Sequence, residues 1–223
     1  MCNRYVSPEQ ADIERFFEIG RRNPLPPWPR ELYPRALGPF VRVDRNGHRE
    51  LVVGRWGLIP HFAKSPDIRY STNNARGEEL AQKPTYRTAW ARGQRCIIPA
   101  VSFDEPNWET GCNVWWRFRR ADRELWGLAG LWNAWIDRAT GEIQESYTML
   151  TINADGHLLM GRMHKPDPSL PPDAQDKRSV IPIERADAEQ WLLGSVEDAR
   201  ALMRAPGVEL FDARPLAPTP RVG

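Results

Sequence analysis

The first five residues, Met1-Cys2-Asn3-Arg4-Tyr5, hold the most reactive arrangement in the chain once Met1 is removed. Cys2 then carries a thiol and a free α-amine on adjacent carbons, and an α-amine with an ordinary pKa of about 7.7–8.0 is already partly neutral near pH 7. The amine can condense with an aldehyde to an imine, and the thiol beside it can close a five-membered thiazolidine ring. Neither step requires a strong base. The plain alternative is that residue 2 is merely where the chain begins, since short motifs match by chance.

A second group of candidates is acidic or basic. Asp104 and Glu105, in Ser102-Phe103-Asp104-Glu105-Pro106, sit at the end of an apolar run. A carboxylate there can be desolvated and so poised as a general acid or base, although a solvated loop acid is the more frequent outcome. Of the four histidines, His48 lies beside a hairpin turn, His61 and His157 show no partner, and His164 differs only by its neighbours. There is no C-x-x-C or H-E-x-x-H spacing, so no metal site is expected. A P-loop, a dinucleotide-binding glycine motif and a G-x-S-x-G elbow are absent too, and no cofactor is expected. Cys2 is left as the best nucleophile.

The elements that must position these groups belong to one domain, since 223 residues bury one sizeable core. Hydrophobic residues at 41% and charged residues at 27% are ordinary for a soluble globular chain. No apolar run approaches the roughly 20 residues of a membrane span, and the N-terminus lacks the features of a signal peptide. Three cysteines, Cys2, Cys96 and Cys112, form no paired framework, which fits a reducing, cytoplasmic compartment. Net charge is only +2, but of the 31 basic residues just Lys64, Lys83, Lys165 and Lys177 are lysine. Arginine suits phosphate and stacks on aromatic faces, so its excess beside ten tryptophans is compatible with single-stranded nucleic acid, and equally with a codon bias.

Along the chain, Ser7-Pro8-Glu9-Gln10 reads as a helix start with Ser7 as N-cap and Gln10 closing a capping box. Pro24 to Pro29 reads as an extended loop. Phe40 to Val43, an Asn46-Gly47 turn and Leu51 to Val53 form a hairpin. Ser71 to Glu78 is a polar turn segment that leaves Asn74 and Arg76 free for a ligand or for capping. Pro84 to Arg92 reads as a helix ended by Gly93, and Cys96 to Ala100 as a buried strand. Val114–Phe118, Leu125–Trp132 and Tyr147–Ile152 read as a β meander. A short helix through Leu158, Leu159 and Met160 then delivers His164, a Pro-rich loop spans 165–176, and Lys177 to Ile183 forms a last inner strand. Two helices and a strand near Val208 to Phe211 follow, with a loose tail beyond Pro215.

Several of these segments together resemble a known family. Met1-Cys2-x-Arg4-Tyr5, Trp56-Gly57-Leu58-Ile59-Pro60, Asn74-Ala75-Arg76-x-Glu78, Arg95-Cys96-Ile97-Ile98-Pro99-Ala100 leading to Phe103-x-Glu105, Ala129-Gly130-Leu131-Trp132, and the His164 to Arg178-Ser179-Val180 region look like the SOS response-associated peptidase family, also called abasic-site processing proteins. They occur in order across about residues 1 to 183. The resemblance implies an α+β fold: one compact domain over residues 1–223, with a twisted, barrel-like, mostly antiparallel β core flanked by helices. Residues 184–215 would add C-terminal helices and a strand, and 216–223 the tail. It also implies a groove for single-stranded DNA and a covalent link between Cys2 and an abasic site, after autoproteolytic removal of Met1.

Carried over by position, Cys2 is the nucleophile, Glu105 shuttles protons, His164 assists proton transfer or holds the sugar oxygen, and Asn74 orients the abasic sugar. Arg4, Arg76 and Arg178 contact backbone phosphates, with Thr151 contributing, and Trp56 and Phe62 support or stack on the flanking bases. The implied partners are abasic single-stranded DNA and replication-fork proteins, with a monomer that is nucleoid-associated when bound. The chain departs from the pattern at Asn3, where glycine is usual, at Phe62, where tryptophan is frequent, at Pro106, where tryptophan often follows the glutamate, and in the Pro-rich insert before Arg178. Two other classes fit part of the sequence. An N-terminal-nucleophile amidohydrolase or glutamine amidotransferase would use the Cys2 thiol with its own amine as base. A non-catalytic reader of damaged DNA would use the same arginines and aromatics without chemistry.

Overall fold

The structure, a computed structural model, describes residues 1–20 and 24–217. Chain order places β1 at Tyr5–Val6, α1 at Gln10–Phe16, β2 at Glu31–Leu32, β3 at Leu37–Val43, β4 at Arg49–Trp56, β5 at Asn74–Arg76 and α2 at Pro84–Ala91. There follow β6 at Arg95–Ala100, β7 at Ser102–Asn107, β8 at Val114–Arg120, β9 at Trp126–Ile136, β10 at Ile143–Asn153 and β11 at Arg178–Val180. Helices α3, Ala188–Leu193, and α4, Val196–Ala201, precede β12 at Phe211–Pro215. The fold is α+β.

Five strands close on themselves: β10 pairs β4, β4 pairs β3, β3 pairs β6, β6 pairs β9, and β9 returns to β10. Among the described residues, only the β4 and β5 pairings with β10 are parallel. Closure needs close approach at Gly130, where a Cβ would lie 2.8 Å from both the Cys96 sulfur and the Thr148 carbonyl. A second sheet, in the order β12-β8-β7-β1-β2, stands beside this barrel. A buried cluster containing Phe40, Cys96, Tyr147, Phe103 and Trp126 runs from one sheet to the other. Phe103 and Phe118 stack at 5.1 Å within it.

Most expected elements are present, with instructive shifts. The Asn46-Gly47 hairpin joins β3 to β4, with Gly47 at φ +83°, and Gly93 at φ +66° ends α2. Helix α1 starts at Gln10 without a side-chain cap, because the Ser7 hydroxyl is taken by the Trp28 indole N–H, 2.9 Å away. The expected meander is split between sheets: β9 and β10 form a hairpin, whereas β8 pairs with β7 and β12. The expected helix through Leu158 is a single 3-10 turn at Met160–Arg162, with Leu158 exposed. His157 caps that turn, accepting from the Leu159 and Met160 amides at 3.1 and 3.0 Å. Much of the expected tail, 218–223, lies outside the described residues.

Candidate active site

The register of the smaller sheet brings the N-terminus to Glu105. Tyr5 of β1 faces Phe103 of β7, and the chain runs back from there alongside the rest of β7. Strand alternation then sends Asp104 and Glu105 to opposite faces. Glu105 meets the N-terminus and His164, while Asp104 accepts two bonds from Arg117, at 2.8 and 2.9 Å. The acids expected at the end of an apolar run therefore lie inside a buried strand, with both carboxylates essentially sealed from solvent.

At the centre, Cys2 is fully buried and its thiol donates to the Arg4 carbonyl at 3.4 Å. Its own carbonyl accepts from Asn74 Nδ2 at 2.6 Å and from Asn73 Nδ2 at 3.4 Å. The Met1 ammonium, still attached, hydrogen-bonds His164 Nε2 and lies 3.7 Å from Glu105 Oε2. His164 Nε2 is in turn 2.8 Å from the same Glu105 oxygen. Burial alone would raise the Glu105 carboxyl, but the ammonium and His164 outweigh it and hold the group below the ordinary carboxylate range. Burial, reinforced by the charge of Glu105, pushes the Cys2 thiol up, so in the Met1-bearing chain it is a neutral thiol.

His164 is held by its backbone. Its φ is +64°, its amide donates to Pro106 at 2.6 Å, and Lys177 Nζ donates to the Met163 and His164 carbonyls, each at 2.7 Å. Two buried polar atoms at the site, Asn74 Oδ1 and His164 Nδ1, have no hydrogen-bond partner among the described residues. Buried polar atoms left this way are uncommon in folded chains and mark places where a ligand can bond. The group can therefore fix a carbonyl, pass a proton between an amine and a carboxylate, and present a thiol beside them.

The remaining expected residues surround this centre unequally. Arg4 Nη2 is bonded to both oxygens of Glu31, at 2.9 and 3.0 Å, and its Nε lies 3.2 Å from Asp104. Arg76 pairs with Asp176 and, at 3.4 Å, with Glu79. Arg178 is buried and bonds Glu78 at 2.7 Å, Asp176 at 3.0 Å and the Thr151 carbonyl at 2.9 Å. Thr151 is buried beneath it. Trp56 has no exposed face to offer a base, which corrects the stacking role: its indole N–H donates to the Asn73 carbonyl at 2.8 Å and so supports the asparagine pair. Phe62 is half exposed and meets His61 edge to face. Asn3 joins the cluster, its Oδ1 accepting from Asn73 Nδ2 at 2.9 Å.

Asn73 and Lys177 are the contributors that the sequence did not single out. Asn73 carries the same turn chemistry as its neighbour Asn74, and nothing local separates their roles. Lys177 is one of four lysines in an arginine-rich chain, a hint readable only with the fold in hand. Among the described residues there is no cluster of three or more His, Cys, Asp or Glu that could hold a metal ion, and no helix long and apolar enough to cross a membrane.

The chain is similar to the abasic site processing protein YoqW of Bacillus subtilis, at 35% identity over 190 residues covering 82% of this chain and 81% of that one. It is similar at 27% identity, over 53% of this chain and 42% of the other, to the abasic site processing protein HMCES of Xenopus tropicalis. A crystal structure of a protein from Bordetella bronchiseptica superposes with a TM-score of 0.84 and 34% identity, covering 97% of this chain and all of that one. The family model for SOS response associated peptidase (SRAP) matches residues 1–218, and the chain belongs to that family.

Proposed function

We propose that the protein processes abasic sites in single-stranded DNA by forming a covalent thiazolidine through Cys2, after hydrolysing its own Met1–Cys2 peptide bond. The single observation that carries this reading is the convergence of the N-terminal amine, Glu105 and His164 beside a Cys2 carbonyl held by Asn74. Hydrolysis adds one water across the Met1–Cys2 bond and leaves an amine on Cys2. That amine adds to the aldehyde of the ring-opened sugar, and loss of one water gives the imine. The Cys2 sulfur then adds to the imine carbon, its proton passing to nitrogen, and the ring closes. Glu105 and His164 carry the protons, and lowering the raised thiol pKa waits on a cationic imine beside it.

Asn74 Oδ1, an acceptor, and His164 Nδ1 are the unpartnered buried atoms available to the sugar hydroxyls. Arg4, Arg76 and Arg178 lie on the route of the strand, with Thr151 beneath Arg178 and Phe62 exposed toward a flanking base. Abasic single-stranded DNA is the target, met at replication forks and on the nucleoid.

The test is a denaturing gel of Met1-processed protein with single-stranded DNA carrying one abasic site, beside Cys2→Ala and a chain that retains Met1. A heat-stable shifted band in the processed wild type alone is expected. No band, with processing confirmed by mass, rules the covalent step out. Cys2→Ala that still binds such DNA would then favour a reader without chemistry, and loss of both activities would direct the work to glutamine and peptide substrates.

A further inference from the structure

Outside the Cys2 centre, the loop that carries Phe62 is pinned at its base by two arginines. Arg35 Nη2 donates to the Ile68 carbonyl at 3.0 Å, and Arg55 Nη1 to the Pro66 carbonyl at 2.6 Å. Together with Arg69, Tyr70, Ser71 and Asn73 they line a small cavity of about 160 Å³ whose mouth is formed by exposed residues. Its charge is poorly balanced. Arg35 and Arg69 form no ion pair among the described residues, and the carboxylate facing Arg55 is the almost fully exposed Asp67, 4.0 Å away. Burial and then the charge of Arg35 lower the Arg55 pKa from its ordinary value, an effect that Asp67 offsets only in part.

We infer that this cavity is a phosphate site, built for a backbone phosphate of the single strand whose abasic nucleotide enters the Cys2 centre. Three guanidiniums supply charge-assisted donors suited to a phosphoryl group. The distance from the chemistry is one side chain: Asn73 walls the cavity and also bonds the Cys2 carbonyl and Asn3. A phosphate seated here would run the strand past Phe62, on the same loop. The assignment of the ligand as DNA rests on the function proposed above, whereas the phosphate chemistry does not.

The experiment is binding of an unmodified single-stranded oligonucleotide by fluorescence anisotropy across a salt series, for wild type and for Arg69→Glu. Arg69 forms no side-chain hydrogen bond or ion pair among the described residues, so this variant is the least disturbing, and its folding is checked by thermal melting. Arg35→Gln is the second variant. Arg138→Glu, at the exposed turn between β9 and β10, makes the same charge change elsewhere. Loss of one phosphate contact to a single strand should lower the slope of log K against log salt by about 0.7, or roughly five-fold in affinity at 0.1 M salt relative to 1 M. That loss is expected for Arg69→Glu and Arg35→Gln and not for Arg138→Glu.

An unchanged slope in a folded Arg69→Glu, equal losses in Arg69→Glu and Arg138→Glu, or wild type that does not bind DNA would each overturn the inference. So would Arg69-dependent stabilisation by inorganic phosphate with no change in the DNA slope, which would assign the cavity to a free anion. A slope that responds to Arg69 while no covalent band ever forms leaves this site standing and removes only the covalent reading.

Discussion

Two sets of arginines flank Cys2, and they differ in what already neutralises them. Arg4, Arg76 and Arg178 are each tied to carboxylates of Glu31, Asp104, Glu78, Glu79 or Asp176. Arg35, Arg55 and Arg69 line a cavity, and the exposed Asp67 stands at the edge of ion-pair distance from Arg55. An arginine already paired with a carboxylate has less to gain from a phosphate, because the incoming anion must displace a partner of similar strength. The paired set is thus suited to orient a strand, and the open set to attract it. Affinity through released counterions comes chiefly from charges not internally satisfied.

The largest effect expected is at Glu105, where the comparison turns from attraction to chemistry. Glu105→Gln keeps the shape and removes both the charge and the proton acceptor. Crosslinking at saturating DNA should slow by about 10²–10⁴-fold, measured as single-turnover band formation. A rate within a few-fold of wild type would mean that His164 alone carries the protons. The same carboxyl sets a pH dependence in the Met1-bearing chain. Its folded pKa lies below the unfolded value of about 4.3, so its stabilisation is complete above that value and lost as pH falls toward the folded one. The melting temperature of the wild type should therefore drop below about pH 4 more steeply than that of Glu105→Gln.

Next in size is Lys177→Met, which removes two bonds from carbonyls beside His164. Leaving those acceptors unpaired costs about 1–3 kcal/mol in urea unfolding, and the left-handed backbone at His164 loses its clamp. Crosslinking should slow as well. A variant destabilised by that amount but crosslinking at the wild-type rate would show that Pro106 alone positions the histidine.

The sequence made the centre easier to read than its surroundings, for physical reasons. Cys2 and Glu105 stand out by residue type and place, the roles of His164 and Asn74 entered only through the family resemblance, and the β hairpin at Asn46-Gly47 and the stop at Gly93 follow from local backbone chemistry. What it left hidden depends on long-range packing. Nothing within Trp56-Gly57 says that the indole is sealed against Asn73. β8 folds back on β7 and takes β12, nearly a hundred residues later, on its other edge, and the capping of α1 was lost to a tryptophan 21 residues away from Ser7. Arg178 reads as a surface phosphate contact in sequence, while its burial beneath two acids is a property of the β10–β11 register.

The smallest effect expected tests the paired set itself. Glu31 lies on the two-residue edge strand β2 and is largely exposed, yet it is bonded to Arg4 and lies 3.7 Å from Arg117. Arg4 holds its carboxyl below the ordinary range, and Arg117 adds to the effect. In Glu31→Gln, Arg4 keeps Asp104 but loses its exposed partner, so a phosphate no longer has to displace that carboxylate. Because exposed pairs contribute only about 0–1 kcal/mol, the gain in affinity for single-stranded DNA should be at most about five-fold at low salt and vanish near 1 M. Weaker binding by Glu31→Gln would mean that Glu31 aims Arg4 at the strand instead of competing with it, and the division between orienting and attracting arginines would then sharpen.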